Sequence, residues 1–296
     1  MKNLSIDFIK NAVSGVLIQG NENQLIEGVS IDSRTIKNGE MFFAIIGENF
    51  DGHKFVEGAI RQGAVAIVVD REIEIEENIP VIKVENTTIA LQELAKKYRE
   101  KLKELLVIGI TGSAGKTSTK DMLASIMGVS FKTKKTPGNL NNYYGLPLTI
   151  LDFDGDEEVA VLEMGMSSLG EIESLAKIAQ PQIGIITNVG EAHIESLGSI
   201  ENVAKAKGEL IEALPPDGLA ILNFDNKYVK SMSKIFKGER IIYYGLSKEA
   251  DIYADNIITR KDGTSQFTVH YQGKKNIFKL KRPGHHNIYN ALSVIA

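Results

Sequence analysis

From residue 105 onward, short apolar runs alternate with longer segments whose apolar positions recur at helical spacing. Four apolar runs are predicted strands: 105–110, 159–162, 183–186 and 219–222. Three segments between or after them are predicted amphipathic helices: 117–127, 170–179 and 199–214. Such alternation predicts a mainly parallel sheet with helices on its faces. Sheets of this kind bind their ligands at the carboxyl ends of the strands.

The chain before this region has a different pattern of short strands and turns, which extends to about residue 84. Strands are predicted at 28–31, 41–45 and 64–69, and helices at 55–63 and 88–101. Residues 251–280 are β-rich, with turns at Asp262-Gly263 and Gln272-Gly273, and a helix is predicted at 287–296. The pattern therefore predicts two domains, 1–84 and 85–296.

The composition is typical of a globular protein, with 43% hydrophobic and 24% charged residues in a chain of 296. The net charge of −4 lacks the basic excess that nucleic-acid binding needs, so no nucleic-acid partner is expected. The absence of cysteine excludes disulfides, thiolate metal sites and a cysteine nucleophile. No apolar run approaches the ~20 residues of a membrane helix, and no signal-peptide pattern is present. We therefore expect a cytoplasmic protein without a membrane span.

The strongest motif, residues 109–119, follows an apolar strand and opens a helix. In that context glycines let backbone N–H groups approach phosphate oxygens, and the helix N-terminus adds partial positive charge. Lys116 is expected to reach the β- and γ-phosphates, and the Thr117 hydroxyl to bind Mg²⁺. The general phosphate-loop pattern has a glycine where Ile110 stands, so the spacing is a variant. The predicted nucleotide loop consists of Gly112, Ser113, Ala114, Gly115, Lys116, Thr117 and Ser118.

Two further polar residues follow strand ends of the same predicted sheet. Glu163 follows the strand 159–162, and a carboxylate there is well placed to hold Mg²⁺. A lone glutamate in this position more often caps the following turn, but the phosphate loop upstream favours the metal role. His193 lies beyond the strand at 183–186 and is either a second metal ligand or a hydrogen-bonded loop histidine.

Lys207 falls on the apolar stripe of the predicted helix 199–214, seven residues after Ile200, whereas Lys205 points away. Lysine is almost never buried without a partner. Desolvation would lower its pKa and leave a neutral amine that can react with CO₂. Alternatively, its ammonium reaches solvent or pairs with an acid such as Glu163.

The phosphate loop resembles the Gly-x-Thr-Gly-x-x-Gly-Lys-Thr loop of the Mur ligase family. Residues 136–147 resemble the Gly-Asn-x-Asn-Asn-x-x-Gly-x-Pro signature of the branch that joins D-Ala-D-Ala to UDP-N-acetylmuramoyl-tripeptide. Further matching segments are 32–34, 51–55, 192–195, 198–199, 206–209 and 284–291. The resemblance implies an α/β protein: a small UDP-binding domain, then a phosphate-loop ATP-binding domain with a mainly parallel sheet and a β-rich extension.

The resemblance also implies an ATP-dependent ligase of peptidoglycan precursor synthesis. ATP phosphorylates the carboxylate of the UDP-linked peptide, and the amine of D-Ala-D-Ala attacks the acyl phosphate. Lys116, His193 and Lys207 are implied as catalytic residues. Two Mg²⁺ sites are implied, with Thr117, Glu163, His193 and a carbamoylated Lys207 as ligands. We expect a monomer.

Substrate-binding residues are implied in both domains. In the first domain they are Ser33, Arg34, Asn49, Asp51 and His53, although such residue types are also common in turns. In the second domain Asn139, Asn141 and Asn142 are implied to line the groove for phosphate and peptide. Asn287, with His286, is implied to contact adenine.

The sequence departs from the family pattern in two respects. Ser167-Ser168 stand where many members have Asn-His. Relatives carry a further C-terminal domain of about 150 residues, so the chain is expected to be two domains of a three-domain enzyme that alone form no amide bond.

Three alternative functions are the ligase that adds the third peptide residue, a folylpolyglutamate synthetase, and a nucleotide-binding module without catalysis. The signature at 138–142 argues against the first two. Retention of Lys116, Thr117, Glu163, His193 and Lys207 together argues against the third.

Overall fold

The computed structural model describes residues 3–47 and 49–296, which form two compact units. The first unit contains the described residues up to Lys103 together with Tyr143–Asp156, and the second contains Glu104–Asn142 and Glu157–Ala296. The strands are β1 (Leu4–Ser5), β2 (Val16–Gln19), β3 (Leu25–Ile26), β4 (Gly28–Ser30), β5 (Glu40–Phe43), β6 (Ala66–Val69), β7 (Val81–Lys83), β8 (Leu106–Thr111), β9 (Thr133–Lys135), β10 (Val159–Glu163), β11 (Ile183–Ile186), β12 (Leu219–Asn223), β13 (Ile241–Gly245), β14 (Ile252–Thr259), β15 (Ser265–Tyr271) and β16 (Lys274–Leu280). The helices are α1 (Ile6–Ala12), α2 (Val56–Gln62), α3 (Thr87–Lys101), α4 (Lys116–Met127), α5 (Gly145–Leu151), α6 (Glu171–Ala179), α7 (Ile194–Leu197), α8 (Ile200–Glu212), α9 (Lys227–Ser231) and α10 (His285–Ile295).

The first unit is built on a five-stranded sheet in the order β2-β7-β6-β5-β4, in which only β2 runs antiparallel. All four residues of β6 are fully buried, as the continuous apolar run predicts. Helix α3 packs with α5, and its Tyr98 hydroxyl donates to the carbonyl of Phe153 at 2.6 Å. Because α3 buries its apolar face here, this compact unit extends past residue 84, the boundary expected from the sequence.

The second unit is built on a nine-stranded sheet in the order β16-β15-β14-β13-β12-β11-β8-β10-β9. The seven strands from β14 to β9 are parallel, and β15 and β16 add the antiparallel extension. This arrangement confirms the predicted fold class. After β8 the chain forms β9 and β10 on one side of it and then crosses to β11 on the other side. The carboxyl end of β8 is therefore a topological switch point, where such sheets bind ligands.

No helix among the described residues is both long enough and apolar enough to cross a bilayer.

A carboxylate from α8 caps the start of α6. Glu209 Oε1 accepts from the N–H of Gly170 at 2.7 Å, and its Oε2 accepts from the N–H of Glu173 at 3.0 Å. The N-cap residue Gly170 has no side chain that could do this. An anion at a helix N-terminus satisfies unpaired N–H groups and interacts favourably with the helix dipole. Glu209 thus fixes α6 against α8.

We expect Glu209→Ala to lower the free energy of unfolding by about 1–2 kcal/mol, because two amide donors lose their acceptor. Chemical denaturation monitored by circular dichroism measures this change. Glu212→Ala on the same helix is the control, since Glu212 is exposed at the C-terminal end of α8. Equal stability of the two variants would contradict the capping role.

Candidate active site

The loop 112–115 connects β8 to α4 at the switch point, and its glycines are required by the space around them. Gly112 has φ +153°, and a Cβ there would lie 1.9 Å from Thr187 Oγ1. Gly115 has φ +85°, and a Cβ there would lie 2.4 Å from Asn290 Oδ1. Gly115 is the N-cap of α4 and provides no side-chain cap, so the first turn of α4 presents backbone N–H groups to an anion.

Residues that follow β11 brace this loop. The Thr187 hydroxyl donates to the carbonyl of Ala114 at 2.6 Å, and Asn188 Oδ1 accepts from the N–H of Ala114 at 2.8 Å. The N–H of Ser113 donates to the carbonyl of Asn188 at 3.0 Å. Thr187 and Asn188 were not predicted as site residues, although their position directly after a predicted strand was a usable signal.

Lys116 lies over the loop that precedes it. Its Nζ donates to the carbonyl of Gly112 at 2.8 Å. Partial burial lowers the pKa of Lys116, while the negative charge of Glu163 acts in the opposite direction. The ammonium is therefore held at the place where the sequence predicts phosphate. Thr117 is exposed in the first turn of α4, and Ser118 is half-buried.

Glu163 ends β10 and is 2% exposed. Its Oε1 accepts from Asn141 Nδ2 at 2.9 Å. Its Oε2 is buried and has no hydrogen-bond partner among the described residues. A buried carboxylate oxygen without a donor is rare and costly, and Mg²⁺ prefers oxygen ligands of this kind. The donor set therefore fits a magnesium ion.

Lys207 faces inward from α8 and is 1% exposed, which confirms its predicted orientation, whereas Lys205 is exposed. Burial and the nearby charge of Lys116 lower the pKa of Lys207 to about 7. The described residues provide no carboxylate within ion-pair distance of Lys207, so the alternative pairing with Glu163 is not formed. A large share of Lys207 is therefore neutral near pH 7.

His193 lies at the start of α7 with φ +69°, an uncommon conformation for a residue with a side chain. Partial desolvation and the positive charges of Lys207 and Lys116 lower the pKa of His193, and Glu171 opposes this. A neutral imidazole is the form that binds a metal. His193 and Lys207 thus share one electrostatic environment.

A cavity of about 270 Å³ opens beside the nucleotide loop. Its walls are formed by the loop, by the ends of β11 and β12, and by α10. The lining residues are Ala114, Gly115, Thr187, Asn188, Asn223, Asp225, Asn226, His286, Tyr289 and Asn290. The position next to the loop suits the nucleoside part of a nucleotide whose phosphates lie on the loop.

The predicted adenine contacts are divided between this cavity and the helix interior. His286 lines the cavity, but Asn287 does not. Asn287 is buried, and its Nδ2 donates to the carbonyl of Pro283 at 2.7 Å. Tyr289 and Asn290, three and four residues after His286, share its helix face and were missed.

The three asparagines of the 138–142 signature are placed differently. Asn141 is half-buried against Glu163, as described above. Asn139 and Asn142 are exposed. Asn141 is thus the member of the signature whose side chain donates to the Glu163 carboxylate.

The predicted substrate residues of the first unit form two groups. Arg34 makes a bidentate pair with Asp32, at 2.9 and 2.7 Å, which holds the pKa of that carboxyl at about 2. Ser33 is half-buried and Asn49 is exposed. The first group, Ser33, Arg34 and Asn49, is therefore at least partly exposed to solvent.

The second group is the turn before α2. Asp51 accepts from the backbone N–H of His53 at 3.0 Å, lies 2.8 Å from His53 Nδ1, and pairs with Arg71. His53 is buried and also lies 3.2 Å from Asp70 Oδ1. Asp51 and His53 therefore stabilise this turn.

Comparison with known proteins agrees with this fold. Residues 110–296 match the Mur ligase middle domain, and residues 25–99 match the Mur ligase family, catalytic domain. A relative from Bacillus subtilis, UDP-N-acetylmuramoyl-tripeptide--D-alanyl-D-alanine ligase, is 41% identical over 93% of this chain and 59% of the relative. The chain thus spans about three fifths of the length of that relative.

Solved structures show the same likeness. A crystal structure of MurF from Acinetobacter baumannii has a TM-score of 0.93 and 30% identity over 100% of this chain and 64% of that one. MurF from Thermotoga maritima in complex with ADP has a TM-score of 0.80 and 32% identity over 90% of this chain and 61% of that one. On these grounds the chain belongs to the Mur ligase family, as its motifs predicted.

Proposed function

We propose that this chain provides the substrate- and nucleotide-binding parts of an ATP-dependent ligase that joins D-Ala-D-Ala to UDP-N-acetylmuramoyl-tripeptide in peptidoglycan precursor synthesis. The observation that carries the proposal is the convergence of the loop 112–115, the buried Glu163, whose Oε2 accepts no hydrogen bond from the described residues, and the buried Lys207 in the second unit. The name of the Bacillus subtilis relative supports the substrate class. Because its substrates are cytoplasmic metabolites, we place the protein in the cytoplasm. We also propose that it is a monomer.

ATP binds with its phosphates on the N–H groups of the loop and of the first turn of α4. Lys116 then moves its ammonium from the carbonyl of Gly112 to the β- and γ-phosphates. The nucleoside occupies the adjacent cavity, where His286, Tyr289 and Asn290 are available for contacts. The ADP complex of the Thermotoga maritima relative supports nucleotide binding by this fold.

Two sites in this chain suit Mg²⁺. Thr117 and Glu163 would hold the first ion, and His193 with a carbamoylated Lys207 would hold the second. When bound, Mg²⁺ would neutralise charge on phosphate oxygens. A carbamate has two anionic oxygens, which suit such a hard cation.

The reaction proceeds through an acyl phosphate. The terminal carboxylate of the tripeptide attacks the γ-phosphorus of ATP, and ADP leaves. The amine of D-Ala-D-Ala then attacks the acyl carbon, the new C–N bond forms, and inorganic phosphate departs as the amine loses a proton. The protein contributes mainly positioning and fixed positive charge, above all from Lys116.

We assign the UDP-linked part of the substrate to the first unit. Ser33, Arg34 and Asn49 are accessible for direct contacts, and Asp51 with His53 fixes the turn beside them. In the second unit Asn139, Asn141 and Asn142 line the groove for the peptide and phosphate. Asn287 supports the adenine pocket from inside α10.

The proposal is tested by phosphate release from the full-length protein with ATP and each UDP-muramyl peptide. We expect release that depends on both UDP-N-acetylmuramoyl-tripeptide and D-Ala-D-Ala. Turnover with the dipeptide precursor and a free amino acid would instead assign the ligase that adds the third residue. Nucleotide binding without any turnover would favour a non-catalytic module.

We expect Lys116→Ala to weaken ATP binding at least about tenfold, because a charge-assisted contact to phosphate is lost. Isothermal titration calorimetry measures the affinity. Lys205→Ala serves as the matched control, since Lys205 is an exposed lysine of the same unit. Unchanged affinity in the Lys116 variant would remove this residue from the nucleotide site.

We expect Lys207→Ala to reduce ligase activity by at least about tenfold, with partial rescue by added short carboxylic acids. Because the lowered pKa leaves Lys207 charged at acidic pH, wild-type activity and carbamate content should both fall as the pH drops below about 7. Protein equilibrated with ¹³C-bicarbonate should show a carbamate carbon signal by NMR that Lys207→Ala lacks. An identical spectrum for both proteins would refute carbamoylation.

A further inference from the structure

The second unit contains another fully buried lysine, Lys120, to which the proposed mechanism gives no role. It lies one turn after Lys116 on α4 and is 1% exposed. Burial of an ammonium is costly unless charged or polar partners surround it. Its partners therefore indicate why a lysine occupies this position.

Lys120 contacts a backbone carbonyl and a carboxylate. Its Nζ donates to the carbonyl of Gly138 at 2.9 Å and lies 3.6 Å from Glu163 Oε2, the oxygen without a hydrogen-bond partner. Asp121 Oδ1 is 3.8 Å away, but that oxygen accepts from Lys135 at 2.8 Å. The charge of Lys120 thus compensates mainly Glu163.

Gly138 belongs to a loop whose two ends are hydrogen-bonded to β10 and to the residues that follow it. On one side, the Thr136 hydroxyl accepts from the N–H of Glu163 at 2.9 Å. On the other side, Asn141 donates to Glu163 through its side chain, and its carbonyl accepts from the N–H of Gly165 at 2.9 Å. Between these ties, a Cβ at Gly138 would meet no atom within 4 Å. At Gly138 itself the hydrogen bond from Lys120, rather than packing around the Cα atom, therefore connects the loop to α4.

We propose that Lys120 is a positioning residue that holds the loop 137–142 and the Glu163 carboxylate in one fixed arrangement. Its ammonium fastens the middle of the loop through Gly138 while its charge orients Glu163, so that Asn141 and Glu163 face the nucleotide loop together. The inference extends the proposed function and rests on it for the catalytic consequence alone. An apolar side chain in this place would fill the space but leave Gly138 and Glu163 without their partner.

The first test measures loop order in the full-length protein without any ligand. Amide hydrogen exchange monitored by mass spectrometry should be at least about tenfold faster across residues 137–142 in Lys120→Met than in wild type. The exposed-lysine variant Lys205→Met should exchange like wild type in this loop. Unaltered exchange in Lys120→Met would overturn the proposal.

The second test is a double-mutant cycle with Glu163→Gln, read out as the midpoint of thermal unfolding. Lys120→Met should lower the midpoint clearly more when Glu163 is present than when residue 163 is glutamine, because the uncompensated buried charge is absent from the latter. If Lys120→Met alone does not fold, the double variant should fold. Equal effects in both backgrounds, or failure of both variants to fold, would reduce Lys120 to a core side chain and overturn the proposal.

The third test separates positioning from nucleotide binding. In the ligase reaction, Lys120→Met should lower kcat by at least about tenfold while the KM for ATP stays within about threefold, because the loop 112–115 is untouched. A rise in that KM with unchanged kcat would contradict the proposal. If the wild-type protein shows no ligase activity, the proposed function fails, while the exchange and unfolding measurements still decide the role of Lys120.

Discussion

Thr187, at the carboxyl end of β11, fixes the nucleotide loop in place. Its hydroxyl donates to the carbonyl of Ala114, and it fills the space where a side chain on Gly112 would stand. Its own carbonyl accepts from Asn223 and from the buried Tyr244 hydroxyl. Neighbouring strands β8, β11, β12 and β13 are thereby joined at one point. These hydrogen bonds hold the loop in its open shape on the sheet beneath it.

Positive charge is concentrated at this edge of the sheet although the chain as a whole is slightly acidic. Lys116, Lys120 and Lys207 are buried or half-buried, and the charge of Lys116 lowers the pKa of Lys207. Glu163 is the buried carboxylate among them. Because a large share of Lys207 is neutral near pH 7 and Lys120 compensates Glu163, Lys116 provides the uncompensated positive charge of this site, which attracts anions. Net charge hides this feature because it averages over the whole surface.

The strands whose two faces are both buried were predicted correctly from the sequence, whereas elements without a clear apolar pattern were missed. The parallel strands β8, β10, β11 and β12 are apolar on both faces, so their runs stand out, and all were predicted within a residue or two. The edge strand β9, Thr133-Lys134-Lys135, has no apolar pattern and was missed. Helix α1 was missed because its seven residues span only about two turns, which is too short for the spacing of Ile6 and Ile9 to repeat. The spacing of apolar residues identifies a helix or strand only when the element is long enough for that spacing to repeat.

The sequence by itself determined the glycine loop, the lysine and threonine that follow it, the parallel sheet, and the inward face of Lys207. These features depend on residue type and on spacing within one element. The tertiary structure alone decided which side chains meet: Lys120 with Gly138 and Glu163, Asn287 with Pro283 rather than the cavity, and Thr187 beneath the loop. Such contacts join residues from different strands and helices, and their geometry is set by how the elements pack.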